Sequence, residues 1–240
     1  MTDNIQATQT LHTDLKRRLV VDASQLPWHK GRAVGIWQKI LHRSGADNGQ
    51  LTAIVRYEPG ARWHEHEHPD GEEILVLEGI FSNRQGNWPA GSYLLKSSDI
   101  RNESWSEKGC TVFIKLRQLP GSDRDQVAIQ TSGDAWRESV RRNVHWKKLY
   151  AQEPYADFMR LEAWDCPAEL GQINFPRGAE LLVLSGGFSD REGIYKALTW
   201  LRIPAGGALT PDSDSYCELY IKEGGFDYLW TSSTPAEMAG

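Results

Sequence analysis

The chain is poor in cysteine, in net basic charge and in long apolar runs. Its three cysteines, Cys110, Cys166 and Cys217, form neither a CxxC pair nor an even framework. That excludes a disulfide scaffold and reads most simply as reduced thiols acting as small apolar core residues. Lysines and arginines number 27 against 32 aspartates and glutamates, for a net charge of −5. No broad basic field is available to a phosphate backbone, so no direct nucleic-acid partner is expected. The short run Lys16-Arg17-Arg18 reads as a solvated lead-in. No stretch approaches the roughly 18 apolar residues of a membrane span. Residues 1–21 hold no apolar segment of a secretion signal, so the expected compartment is the cytoplasm.

Helical periodicity is scarce as well. In its place come short β-rich runs such as "LTAIVRY" (51–57), "EILVL" (73–77), "SYLL" (92–95) and "TVFIKL" (111–116). Turn clusters, "EPGA", "HPDG", "NRQGNWPAG" and "SEKG", separate them. Many short strands at close spacing predict an all-β antiparallel sandwich or barrel.

The second half repeats the first. "EILVLEGIFSNRQG" begins at Glu73 and "ELLVLSGGFSDREG" begins at Glu180, 107 residues on. The same offset carries Gly79 to Gly186, Leu94 to Leu201, Cys110 to Cys217 and Lys115 to Lys222. Two tandem copies of one β-domain explain an offset that does not drift. The expected boundaries are an N-terminal arm over 1–22, which could add a strand, a first domain over 23–125 and a second over 126–240. The polar segment 119–134 is the expected connection.

Chemistry concentrates in "WHEHEHPDGEEILVLEG", Trp63 to Gly79. On a strand, residues i and i+2 share a face about 6.5–7 Å apart at Cα, so His66 and His68 can converge on one ion. The Pro-Asp-Gly turn then returns Glu72 from the neighbouring strand. Two imidazoles and a carboxylate suit Zn, Fe, Mn, Ni or Co and leave positions for water or substrate. His64 is about 13 Å along the strand from His68 and is assigned to the pocket wall, on the same inward face. Glu73 points opposite Glu72, and its counterpart Glu180 favours a structural role. Trp63 and Trp105 lie close enough to the motif to line a pocket, although core packing is the simpler use of the ten tryptophans. A solvated, charged edge strand is the plain alternative for the whole stretch.

From Gly60 the stretch runs Gly, five residues, His66, one, His68, three, Glu72, six, Gly79. This matches every fixed position of the first cupin motif, G(X)5HXH(X)3–4E(X)6G; the second motif is present only in part, at Pro89-Ala90-Gly91. The segments "VRYEPGARW", "HPDGEEILVLEG", "FSNRQGNWPAGSYL" and "WSEKGCTVFIKLRQ" resemble the ChrR-type cupins, whose namesake is a zinc-dependent anti-sigma factor. The resemblance implies two tandem cupin barrels (double-stranded β-helix or jelly-roll). It also implies one divalent metal, zinc foremost, with iron, manganese or nickel as the others. In that family a fourth ligand, a histidine, precedes the "WSE.GC" segment; the corresponding position here is Asn102, a much poorer ligand. Positions 66, 68, 72 and 102 fall in the second copy on Ile173, Phe175, Ala179 and Leu209, all apolar, so the second cupin is expected to bind no metal.

Two functions follow as expectations. One is a small-molecule or stress-sensing regulatory module related to the ChrR effector domain. Only about 20 residues precede the first cupin, so no sigma-binding domain, and hence no sigma-factor partner, is expected. The alternative is a metal-dependent oxygenase or isomerase acting on a small polar or dicarbonyl-type substrate. Homodimerisation is compatible with either.

Overall fold

The structure, a computed structural model of the chain, describes residues 10–45, 49–66, 70–96 and 102–229, with the side chains of residues 65, 66 and 102 outside the description. No α-helix occurs among the described residues, and no helix is long and apolar enough to cross a membrane. In chain order the strands of the first half are β1 (Leu19–Asp22), β2 (His29–Lys30), β3 (Ile36–Ser44), β4 (Gln50–Tyr57), β5 (Ala61–His66), β6 (Glu72–Asn83), β7 (Gly86–Pro89), β8 (Ser92–Lys96), β9 (Asn102–Ser106) and β10 (Cys110–Leu116). The rest are β11 (Val127–Gln130), β12 (Arg137–Glu138), β13 (Val144–Tyr150), β14 (Phe158–Trp164), β15 (Ile173–Phe175), β16 (Ala179–Asp190), β17 (Gly193–Lys196), β18 (Thr199–Ile203), β19 (Gly207–Leu209) and β20 (Cys217–Glu223).

Alternation along each strand decides what it buries. In β6, Ile74 and Val76 join an apolar cluster with Val112, Ile114, Leu94, Val55 and Phe81. The alternate residues Glu73 and Leu75 lie on the opposite face and are buried too. The second half builds a matching cluster from Leu181, Val183, Leu201, Leu219, Ile221 and Trp164.

The two main sheets correspond strand for strand. One runs β11-β8-β6-β10-β4-β3-β2 and the other β1-β18-β16-β20-β14-β13-β12, all antiparallel. The 107-residue repeat is therefore a repeat of fold, two cupin barrels as expected. A β-bulge falls at the same place in both copies, beside Leu77 in β6 and Leu184 in β16. It requires glycine next door: Gly79 and Gly186 have φ of +72° and +66°. A Cβ on Gly79 would lie 2.2 Å from the Gly109 carbonyl oxygen, and one on Gly186 only 1.7 Å from that of Tyr216.

The compact units are discontinuous in sequence. One comprises residues 1–15, 27–130 and 227–240, the other 16–26 and 131–226. β1, which precedes the first repeat, pairs with β18 of the second unit, Leu19 opposite Arg202 and Val21 opposite Trp200. β11, the equivalent strand ahead of the second repeat, pairs with β8 of the first unit, Val127 opposite Leu95 and Ile129 opposite Tyr93. Each repeat's leading strand thus completes the other repeat's sheet, and the units cross the linear boundaries 1–22, 23–125 and 126–240 at these two strands. The segment 119–134 contains β11. Cys110 and Cys217 are buried, whereas Cys166 is exposed and so is no core residue.

Candidate metal centre

Four strands frame the site in the first unit: β5, β6, β8 and β9. Asp70 and Gly71 turn the chain into β6 with φ of +60° and +79°. The turn is tied down where the amides of Arg117 and Leu119 donate to the carbonyls of Gly71 and Asp70, at 2.9 and 2.8 Å. Gly71 is obligatory there, since a Cβ would meet the Lys96 carbonyl oxygen at 2.7 Å. This fastening fixes Glu72 as the first residue of β6, on the face that continues through Ile74 and Val76 into the apolar cluster.

Glu72 is 7% exposed, and its cross-strand partner on β8 is Lys96, 6% exposed. Burial pushes the Glu72 carboxyl up to about 7, against the pull of the Lys96 ammonium; burial likewise lowers Lys96, opposed by Glu72. The buried thiols Cys110 and Cys217 are raised by desolvation to about 11 and about 12, which keeps both protonated at neutral pH.

On the opposite wall, β5 pairs with β9. Position 66 stands directly across from position 102, so the backbone puts His66 and Asn102 on one rung. The preceding rung is Trp63 with Ser104, and Ser104 hydrogen-bonds Tyr57 inside the barrel at 3.0 Å. His68 and the side chains of His66 and Asn102 lie outside the described residues. Among the described residues no group of three or more histidines, cysteines or acids is assembled.

The remaining candidates divide between surfaces. A register shift between Trp63 and His66 breaks the alternation that would carry His64 onto the face of the motif. Trp63 packs half-buried on the apolar cluster. His64 is exposed and sits in the field of Glu103, which bonds Arg62 at 2.8 Å. Trp63 and His64 line an open depression of about 720 Å³ with Arg32, Val34, Glu58 and Arg62. Trp105 lies under the Arg62 guanidinium, 4.9 Å from its ring centroid. Glu73 is buried on the opposite face of β6, where it accepts a 2.9 Å hydrogen bond from Tyr93. Its counterpart Glu180 is bonded by Arg202 at 3.0 Å, so both copies keep this acid in a buried polar set.

The second barrel carries the same rungs with other chemistry. Ile173 pairs with Leu209 on β15 and β19, and Ala179 pairs with Ile203 on β16 and β18. Ile173, Phe175, Ala179, Leu209 and Ile203 are all buried in its apolar cluster. Position for position, His66–Asn102 is replaced by Ile173–Leu209, and Glu72–Lys96 by Ala179–Ile203. Lys96 is the residue that sequence reasoning missed. The signal was present, because Ile203 stands 107 residues after Lys96 just as Ala179 follows Glu72.

The family described as the ChrR Cupin-like domain matches the chain twice, over residues 16–120 and 124–227. No curated protein matches it. Among solved structures the chain resembles a protein from Nostoc punctiforme assigned provisionally as a dioxygenase, with 15% identity, 97% of this chain and 93% of that one covered, and a TM-score of 0.74. It also resembles a bacterial pirin from Escherichia coli in complex with nickel(II), at 15% identity, 87% and 99% coverage and a TM-score of 0.63. A third likeness is oxalate decarboxylase from Lactobacillus farciminis in its formate complex, at 10% identity, 86% coverage of each chain and a TM-score of 0.60. At these identities the likeness is one of fold.

Proposed function

Because the chain belongs to the ChrR Cupin-like domain family through both of its repeats, we propose that its first barrel is a metal-dependent small-molecule site. One divalent ion, with zinc foremost and iron, manganese or nickel as the others, would be held by His66, His68 and Glu72, with Asn102 or a water at the fourth position. The observation that carries the reading is the contrast between equivalent rungs. The second barrel is built with Ala179–Ile203 and Ile173–Leu209 on these rungs, so the fold does not require Glu72, Lys96 or His66 there. A buried carboxyl raised to about 7 by its surroundings is costly as an anion and fits a place where a cation is to be held.

Of the two uses of such a site, catalysis has more support: a metal-dependent oxygenase or isomerase acting on a small polar or dicarbonyl-type molecule. A bound divalent metal would supply Lewis-acid polarisation of a substrate oxygen or, as iron(II), dioxygen chemistry. The chain's own residues would orient the substrate and exclude water through the apolar wall of Ile74, Val76, Val112 and Phe81. Lys96 would hold a positive charge and a proton beside Glu72. Whole-chain likeness to the Nostoc protein and to oxalate decarboxylase supports this use in general kind. Small-molecule or stress sensing is the second reading, supported by the family's description.

The test is metal analysis of the purified protein, then anaerobic iron(II) loading and an oxygen-uptake screen with dicarbonyl substrates. About one equivalent of metal, and oxygen uptake that His66→Ala abolishes, is expected. Less than roughly a tenth of an equivalent after supplementation with Zn, Fe, Mn and Ni sinks the metal centre. A full equivalent with no turnover leaves sensing as the surviving use.

A further inference from the structure

We infer that the second barrel has a ligand site of its own, in which Arg160 takes a small neutral molecule through a carbonyl or hydroxyl oxygen. The site is independent of the metal centre proposed for the first barrel. On β14 the residues Phe158, Arg160, Glu162 and Trp164 share one face, and Trp164 packs there in the apolar cluster with Leu219 and Ile221 of β20. Leu219 and Ile221 stand directly opposite Glu162 and Arg160. The two charged residues therefore lie on the inner face of the barrel, with Arg160 7% and Glu162 5% exposed. At the offset of 107 they replace Ala53 and Val55, and Glu223 replaces Leu116, all three members of the first barrel's apolar cluster. The first barrel is thus built without a charge at any of these positions, and folding does not account for the trio.

The three side chains hold one another in place. Arg160 Nε donates to Glu162 Oε1 at 2.7 Å, and Nη2 reaches Glu223 Oε1 at 2.8 Å. Glu162 is braced at its other oxygen by Trp164 Nε1, which donates at 3.0 Å. The Phe158 ring centroid lies 5.2 Å from the guanidinium carbon, and Trp146 meets that ring edge-on. Arg160 Nη1 is buried and meets no hydrogen-bond acceptor among the described residues. A guanidinium pinned at two of its three nitrogens presents the third at a set position, and a buried donor left unmade is unfavourable until an acceptor reaches it. Charge selects that acceptor. Two carboxylates already flank one guanidinium, and Lys148, opposite Arg160 on β13, is exposed to solvent. A carboxylate ligand would bring a third negative charge to a single buried cation, whereas a neutral oxygen satisfies Nη1 without one. Entry is at the Glu223 end, where that side chain keeps 26% exposure while Glu162 is closed off. Phe158, the cross-strand partner of Glu223, and Trp146 are half-buried there and are the walls that move aside.

The experiment uses the full chain without added metal and with isotope-labelled arginine, so that the Arg160 Nε–H resonance can be followed by NMR. Isobutyramide and its anionic isostere isobutyrate are the probes, with saturation transfer to their methyl signals as a second readout. The triple variant Arg160→Ala/Glu162→Val/Glu223→Leu copies the first barrel and strands no charge, and thermal melting checks that it folds; loss of a resonance in it assigns Arg160. Isobutyramide should shift the Arg160 resonance saturably in the wild type, with isobutyrate binding at least about tenfold more weakly. The triple variant should show no saturation transfer to the amide. Arg160→Lys keeps a positive charge between the carboxylates but loses the fork, and should weaken the amide at least about tenfold. The proposal is overturned if isobutyramide gives no saturable shift up to roughly 100 mM, or if isobutyrate binds as tightly. It is equally overturned by amide binding that persists in the folded triple variant or is unchanged in Arg160→Lys. Should the triple variant not fold, loss of a resonance in Arg160→Lys assigns Arg160 and that variant decides alone.

Discussion

Glu72 and Lys96 are an expensive pair to keep inside a barrel, and their cost can be measured. Replacing a buried ion pair by well-packed apolar residues is commonly neutral or stabilising by about 1–4 kcal/mol, whereas removing one partner strands the other charge and costs about 3 kcal/mol or more. The metal-free double variant Glu72→Ala/Lys96→Ile, which copies Ala179–Ile203 of the second barrel, should therefore be at least as stable as the wild type. Glu72→Ala alone should be clearly less stable; urea unfolding of the three proteins checks the order. A pH dependence follows. The folded carboxyl titrates near 7 against an ordinary 4.5, so its protonated form is favoured by folding. That contribution is fully present below about pH 4.5 and is lost as pH rises to 7, on the order of 3 kcal/mol in all. The advantage of the double variant should be larger at pH 8 than at pH 4.5, and a constant difference would contradict the burial of Glu72. At this scale the sequence was informative where the two copies could be compared: His66, Glu72 and Asn102 each differ from an apolar counterpart. Lys96 passes the same comparison and was overlooked because it lies outside the motif.

At the scale of elements, what was legible was strand content and the face each residue takes along an unbroken strand. Glu73 lies opposite Glu72 because alternation in β6 is undisturbed between them. What was not legible was where alternation breaks. The register shift in β5 sets His64 beside Glu103 at the surface, and no residue type between Trp63 and His66 announces it. The repeated bulge beside Leu77 and Leu184 is more visible, through a glycine at each copy. The close approach can be separated from the backbone conformation by two substitutions in the second unit. Gly206, with φ of +78°, has open space around a built Cβ, so Gly206→Ala should cost about 1 kcal/mol from strain alone. Gly186→Ala adds an overlap with the backbone of Tyr216 and should cost on the order of 2–4 kcal/mol. Thermal or urea unfolding distinguishes them; equal losses would mean that the bulge relaxes freely.

At the scale of the whole chain, the repeat was legible and the exchange of leading strands was not. A short apolar strand such as Leu19–Asp22 carries no mark of which edge it joins, because β8 and β18 are copies presenting the same edge. The pairing is a matter of connectivity, and it has a consequence that a linear reading would miss. β18 is buried along its whole length, Trp200 and Leu201 included, and β1 supplies one of its two neighbours. Arg18, just ahead of β1, fastens the strand by bonding Asp190, Glu192 and Tyr195 around the β16–β17 hairpin. Removing residues 1–22 takes from the first unit the Leu11–Arg43 bridge and the His12–Leu41 contact on β3, but from the second unit a whole sheet strand. The loss exposes apolar surface and a row of unpaired backbone groups on β18. Hydrogen exchange with peptide-level readout should show the amides of 199–203 exchanging at least about 100-fold faster in the truncated protein, with 92–96, still covered by β11, little changed. The reverse pattern, with protection lost at 92–96 and kept at 199–203, would mean that each leading strand stays with its own repeat.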